Sequence, residues 1–300
     1  MLRCETGSSA TPLFSVVTPV YNDWGPLEGC LQTLACQTNA PSFEVIVVDD
    51  GSTEATPEQI RNAAFNYPLT VIQQPHTGIS AARNQGIRIA KGKILLFVDA
   101  DCRLQTDCLA ALESAVTNAP GHDYFQLRII GNCSSLVGRA EHLRLLTFQT
   151  YMLQPDGCIR YLNTAGFAMR RERADLETGV FDPDAMRAED TLLLANLMQD
   201  GKLPLFVPGA IVEHAIPLSL MQCVQKDVRS VSLEGKAYGV IAEKGIRIRI
   251  THRERLKLLW SMWKAAGQNS IGRSAWFVLV VRQSLQRIIS FVYHGPRVGS

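Results

Sequence analysis

The 300-residue sequence predicts an α/β fold: a mainly parallel sheet flanked by helices, with a helical C-terminal extension. Three observations predict it. Short, near-continuous apolar runs recur through the first hundred residues, the pattern of strands buried on both faces of a parallel sheet. Segments with apolar residues at helical spacing separate these runs, so strand and helix alternate. Three of the runs also end in polar or acidic clusters, at the strand ends where open parallel sheets bind ligands.

The elements follow in order. Phe14 to Thr18 is a β-rich run that meets Pro19. Leu27, Cys30, Leu31 and Leu34 recur at helical spacing. Phe43 to Val48 is apolar apart from Glu44 and stops at Asp49-Asp50-Gly51-Ser52. Pro57 to Phe65 reads as a helix with proline near its first turn. Leu69 to Ile72 is a short strand, Ser80 to Ala90 a helix, and Ile94 to Val98 a strand ending at Asp99. Beyond residue 120, strands are expected at Tyr124 to Ile130, Phe167 to Met169, Leu205 to Val207 and Ala210 to Val212. Helices are expected at Leu136 to Tyr151 and at Leu192 to Met198, the latter opened by Glu189-Asp190.

Composition narrows the class. With 46% hydrophobic and 19% charged residues the chain has the make-up of a folded globular protein. No apolar run reaches the roughly 18 residues of a membrane span, and residues 1–12 lack the apolar centre of a signal peptide. The cytoplasm is therefore the expected compartment. The eight cysteines include no Cys-x-x-Cys pair, so reduced, mostly buried thiols are expected. Charge is uneven: residues 215–300 carry 14 basic and 4 acidic side chains, and the rest of the chain is mildly acidic.

Asp99-Ala100-Asp101 is the sharpest chemical signal. Two carboxylates at i and i+2 on a strand-end turn can face one hard cation, Mg2+ or Mn2+, which takes oxygen ligands and shares them with phosphates. A departing diphosphate needs such a cation. In Asp49-Asp50-Gly51-Ser52 the glycine permits a tight turn, and the acids can accept hydrogen bonds from a base or ribose, or from backbone donors alone.

These segments, in this order, resemble the family 2 glycosyltransferases of the GT-A, Rossmann-like fold. The resemblance rests on Val17-Thr18-Pro19-Val20-Tyr21-Asn22, Val47-Val48-Asp49-Asp50-Gly51-Ser52, Gly78-Ile79-Ser80-Ala81-Ala82-Arg83-Asn84-Gln85-Gly86 and Phe97-Val98-Asp99-Ala100-Asp101. Phe167 to Arg171, Phe181-Asp182 and Glu189-Asp190-Thr191 extend it to about residue 215. It implies a tail over 1–11, a nucleotide-sugar-binding half over 12–120, an acceptor and catalytic half over 121–215, and an extension over 216–300.

The resemblance also implies an activity: transfer of one sugar, with inversion, from a nucleoside diphosphate sugar, a UDP-sugar above all, to a hydroxyl of a glycan or lipid-linked acceptor. Pro19, Tyr21 and Asp50 would hold the base. Asp99 would contact ribose or metal, and Asp101 the metal on the diphosphate. Asp190 would be the general base; the same residue also suits the dipole of a helix start. Arg83 would serve the anionic nucleotide or form a surface ion pair. His214 would add a metal ligand or remain a hydrogen-bonded loop residue. A Gln-x-x-Arg-Trp segment, normal in the family's processive synthases, is missing. Two other classes stay open: a nucleotidyltransferase releasing pyrophosphate, and an inactive membrane-associated binding subunit of the same fold.

In the basic extension Leu256, Leu259, Trp260 and Trp263 fall at helical spacing, as do Val278, Val281, Leu285, Ile288 and Val292. These stripes either meet an anionic membrane at the inner face of the cell or pack on the enzyme body. No nucleic-acid-reading motif accompanies the charge.

Overall fold

The structure, a computed structural model, describes residues 11–54, 65–185, 188–214, 250–268 and 271–294, with residues 220–225, 228, 239, 241, 243 and 245–246 between them. The helix expected over 57–65 lies, except for its last residue, outside the described residues.

The chain opens with β1 (Phe14–Val20), α1 (Trp24–Ala35), β2 (Phe43–Asp49), β3 (Leu69–Gln73), α2 (Ile79–Ile89) and β4 (Ile94–Phe97). It continues with β5 (Cys102–Leu104), α3 (Cys108–Asn118), β6 (Tyr124–Gly131), α4 (Leu136–Met152) and β7 (Phe167–Arg170). The last elements are α5 (Glu189–Gln199), β8 (Leu205–His214), α6 (His252–Gln268) and α7 (Arg273–His294).

The eight strands form one sheet in the order β3-β2-β1-β4-β7-β6-β8-β5. β3, β2, β1 and β4 run parallel, while β7 runs antiparallel to both β4 and β6. Strand alternation sends successive side chains to opposite faces, and here both faces are covered. Phe14, Val16, Val45 and Leu96 join a core with Leu27 and Leu31 of α1 and Leu109 and Leu112 of α3. Val17, Ile46, Val48 and Phe97 join a second core with Ile87 of α2 and Leu193 and Leu197 of α5. That double burial is why these strands read as continuous apolar runs.

Two differences from the sequence expectation matter for the site. The strands expected at Leu205 to Val207 and Ala210 to Val212 are one strand, β8, whose pairing with β6 shifts register between Leu127 and Arg128. Gln149 of α4 engages the neighbouring Ile129, accepting from its N–H and donating to its carbonyl. The second difference is β5, three residues that form a strand only because β8 offers an antiparallel edge. This pairing sets Cys102 opposite His214.

The basic extension packs on the enzyme body, one of the two alternatives the sequence left open. A third core joins Ala140 and Leu143 of α4 to Leu258, Met262 and Ala266 of α6 and to Ala275 and Leu279 of α7. Leu256 and Trp260, and along α7 Val281, Leu285, Ile288 and Val292, point outward instead. The stripes picked from sequence are thus divided: Leu259 and Val278 pack on this core, and the rest of each named here faces out. No helix among the described residues is long and apolar enough to cross a membrane. Among the described residues Cys30, Cys36, Cys102, Cys108, Cys133 and Cys158 are free thiols, four of them buried.

α2 sits close to β1 because Gly86 faces it. A Cβ built there would lie 2.4 Å from Val17 Cγ1. Gly86→Val is expected to force the helix away and to lower stability by about 1–3 kcal/mol, read from urea midpoints, whereas a valine at exposed Gly121, with nothing within 4 Å of its Cβ position, should cost less.

Candidate active site

The parallel strands β1, β2 and β4 end side by side, and the residues singled out from sequence gather along that rim. Pro19 lies within β1, opposite Val48 of β2. Tyr21 follows the strand; it is 45% exposed, and its ring stacks on that of His76 with centroids 4.2 Å apart. Asn22 adopts a left-handed φ of 50°. That conformation lets its Oδ1 accept from the Thr53 and Glu54 amides while its own N–H donates to Ser52 Oγ. The two loops at the ends of β1 and β2 are thereby locked together.

Asp50 is buried, and its own chain surrounds the carboxylate. Oδ1 accepts from Gln74 Nε2 at 2.7 Å and from the Thr77 amide at 2.9 Å. Oδ2 accepts from the Gly78 amide at 2.9 Å and lies 2.8 Å from His76 Nδ1. Asp50 therefore shapes the 74–78 loop that leads into α2. Sequence reasoning missed His76: an isolated histidine in a loop carries no periodic signal.

α2 supplies three buried polar side chains, each anchoring a different segment. Ser80 Oγ donates to the Ala185 carbonyl. Asn84 accepts from the Val180 and Phe181 amides and donates to the Phe181 carbonyl at 2.6 Å. Arg83 is 1% exposed. Its Nη2 reaches Asp99 Oδ1 and its Nη1 reaches Glu189 Oε1, both at 2.7 Å. The surface ion pair considered from sequence is instead an interior one, joining the end of β4 to the start of α5.

Asp101 and His214 face one another across the β5–β8 pairing, with His214 Nε2 3.5 Å from Asp101 Oδ1. Cys102 lies within the same cluster, but burial above all raises its thiol pKa well above the ordinary value. As a neutral thiol it does not suit a hard cation; the Asp101 carboxylate does, and the His214 imidazole is a softer donor that favours a transition-metal ion such as Mn2+ over Mg2+. The donor set therefore fits Mg2+ or Mn2+, with Asp99 two residues away and held by Arg83.

Asp190 is the second residue of α5. Loss of hydration raises its pKa from 3.8 to about 7, and the neighbouring Glu189 carboxylate adds to the shift. Hydrogen bonds from Thr191 and the charge of Arg83 oppose it. The preceding Ala188 has a left-handed φ of 62°, a strained conformation for a residue with a Cβ. Strain of this kind clusters at functional sites.

The description "Glycosyl transferase family 2" matches residues 15–179, more than half of the chain. The chain belongs to this family. As a member of glycosyl transferase family 2 it is 39% identical over 94 residues to the uncharacterized glycosyltransferase YibD of Escherichia coli, covering 31% of this chain and 27% of that one. It is 42% identical over 95 residues to validoxylamine A glucosyltransferase of Streptomyces hygroscopicus subsp. limoneus, covering 31% and 21%. The chain thus spans about a quarter of the length of these curated relatives. Among solved structures, the mannosyltransferase PcManGT of Pyrobaculum calidifontis, in complex with GDP-Man and Mn2+, superimposes with a TM-score of 0.62 at 18% identity, over 95% of this chain and 88% of that one. The residues 1–349 of S. aureus TarS in complex with UDP give 0.50 at 18% identity, over 95% and 92%. At this identity the likeness establishes the GT-A fold. The family match stops at residue 179, short of Asp190 and His214.

Removing Arg83 would leave Asp99 and Glu189 facing one another without their shared cation. Arg83→Met is expected to destabilise the fold by about 3–5 kcal/mol, the range for breaking a buried ion pair from one side. Chemical unfolding at pH 7 would measure this, with Arg83→Lys intermediate because an ammonium cannot bridge both carboxylates in the planar, two-armed geometry.

Proposed function

We propose that the chain transfers a single sugar from a nucleoside diphosphate sugar, a UDP-sugar first among donors, to the hydroxyl of a glycan or lipid-linked acceptor, with inversion. One observation supports the reading: Arg83 joins Asp99, two residues before the Asp101 that faces His214, to Glu189, which precedes Asp190 on α5. The nucleotide ligands of the structural neighbours, GDP-Man and UDP, agree with a donor of this class.

In this reading Tyr21 offers an exposed ring beside the base, and Pro19 and Asp50 shape the floor beneath it. Asp101 and His214 would hold Mg2+ or Mn2+, with Asp99 beside them. When bound, the cation supplies Lewis-acid neutralisation of the charge growing on the departing diphosphate. Asp190 takes the proton of the acceptor hydroxyl as its oxygen attacks the anomeric carbon. A carboxylate of ordinary pKa is a weak base at neutral pH; one raised to about 7 is matched to the task. Glu189, whose charge helps raise it, is itself held away by Arg83. The missing Gln-x-x-Arg-Trp segment favours one addition per encounter, and the outward apolar residues of α6 and α7 suit work at a membrane surface.

The test is a panel of nucleoside diphosphate sugars scored for nucleoside diphosphate release, with water as the slow default acceptor. Release of pyrophosphate, or no release with any donor, would overturn the reading. Asp101→Ala is expected to abolish metal-dependent nucleotide binding, measured by calorimetry. Asp190→Asn should keep that binding and lose about 10²–10⁴-fold in turnover.

The pH profile gives an independent check. Because Asp190 must be ionised to act, the wild-type rate should rise with pH up to about 7 and level off above it. The sign for stability is the reverse. Folding disfavours the ionised form, so the penalty is absent below about pH 4, grows towards pH 7 and is complete above it. Asp190→Asn should remove both the acidic limb of the rate and this loss of stability.

A further inference from the structure

We propose that Glu141 of α4 and Arg282 of α7 are positioning residues that set, by opposed charges, how tightly the Asp101–His214 pair holds a divalent cation. The inference rests on the glycosyl-transfer reading above and gives the C-terminal extension a part in it.

The placement of Glu141 follows from the packing of α4. Gly138, Leu145 and Gln149 all face the sheet: Gly138 is pressed on the Asn132 carbonyl, Leu145 joins the first core, and Gln149 is bonded to Ile129. Residues three and four apart share one side of a helix, so Glu141 lies on that ridge. It is accordingly buried, at 8% exposure.

The N-terminal part of the same ridge comes down on the end of β6. His142 Nδ1 lies 3.2 Å from the Gly131 carbonyl oxygen, and a Cβ on Gly131 would meet the His142 amide at 2.7 Å. Gly131 is the register partner of His214 on β8. Beside them Asn132 Nδ2 donates to Glu213 Oε1 at 2.6 Å, tying the two strand ends together. Glu141 thus sits over the strand next to the one that carries His214.

Two cations hold this one anion. Arg144 Nη2 pairs with Oε1, and its Nε donates to Oε2 at 2.9 Å. Arg282 Nη1 approaches Oε2 at 3.1 Å from α7. Burial opposes ionisation of Glu141, yet Arg144, Arg282 and more weakly His214 outweigh it and hold its pKa at about 2. Glu141 is therefore a permanent anion whose charge is felt at His214. A buried carboxylate needs compensation, and Arg144 alone supplies a full positive charge. With Arg282 the trio carries a net positive charge, which opposes a cation nearby. Neutralising Glu141 would double that excess, and neutralising Arg282 would remove it. A clamp that served stability alone would respond alike to the loss of either member.

The test follows Mn2+ alone, titrated into the full chain and read from the paramagnetic resonance of the free ion. Asp101→Ala locates the site by abolishing the binding. Glu141→Gln is expected to weaken Mn2+ about tenfold or more, the scale on which outer partners of metal ligands act. Arg282→Gln is expected to tighten it severalfold, and Arg282→Lys, which keeps the charge, to leave it near the wild-type value. Thermal midpoints show which variants are folded. Should Glu141→Gln unfold, Arg282→Gln, at a side chain 20% exposed, decides alone. Weaker binding in both variants would mean a clamp of purely structural use and overturn the inference, as would unchanged affinity in either folded variant. Absence of Mn2+ binding in the wild type, or binding that Asp101→Ala leaves intact, would overturn the metal assignment of the glycosyl-transfer reading and this inference with it. Variants without effect on an Asp101-dependent site would count against this inference alone.

Discussion

The Arg83 guanidinium is the interaction on which the rest depends. It sits in the interior, and the two carboxylates it spans come from segments 90 residues apart in the chain. A buried cation must be compensated or it disrupts the fold. Asp99 and Glu189 compensate it, and in doing so each is held 2.7 Å from one of its nitrogens. Asp101 lies two residues after one partner, and Asp190 one residue after the other. The spacing between the proposed metal ligand and the proposed base is therefore set by a single side chain that needs to touch neither substrate.

The rest of α2 reinforces this arrangement. Its N-terminal end is positioned by Asp50, which accepts from the amides of Thr77 and Gly78 just before the helix begins. Its buried face is pressed against β1 at Gly86. Asn84 and Ser80 then tie down the 180–185 segment that leads to α5. The motif running from Gly78 to Gly86 thus couples the two halves of the domain mechanically. The strained backbone at Ala188 is tolerated because hydrogen bonds on either side leave the start of α5 little freedom.

Much of this was legible in the sequence where local pattern and burial agree. β1, β2 and β4 are covered on both faces, so their residues form unbroken apolar runs, and the acids that follow stand out against them. β5 left no trace, since three residues carry no period and the strand exists only where β8 pairs with it. α3 carries Leu109, Leu112 and Val116 at helical spacing, a signal that a reading centred on strand ends passes over. In α7 apolar residues occupy both sides, so periodicity cannot say which side packs; α4, more than a hundred residues earlier, decides it. The burial of Arg83 was out of reach for the same reason, because its partners are distant in the chain.

Asp50 has one more consequence. Among the described residues every hydrogen bond it accepts comes from the 74–78 loop, so under the proposed function an incoming heterocycle would find an engaged carboxylate, not a vacant one. Recognition there would work by exchange: a ring N–H gains an oxygen only as Gln74 or His76 yields it. Such a swap would give little net stabilisation, but it would make occupancy of the proposed base site felt directly at the threshold of α2.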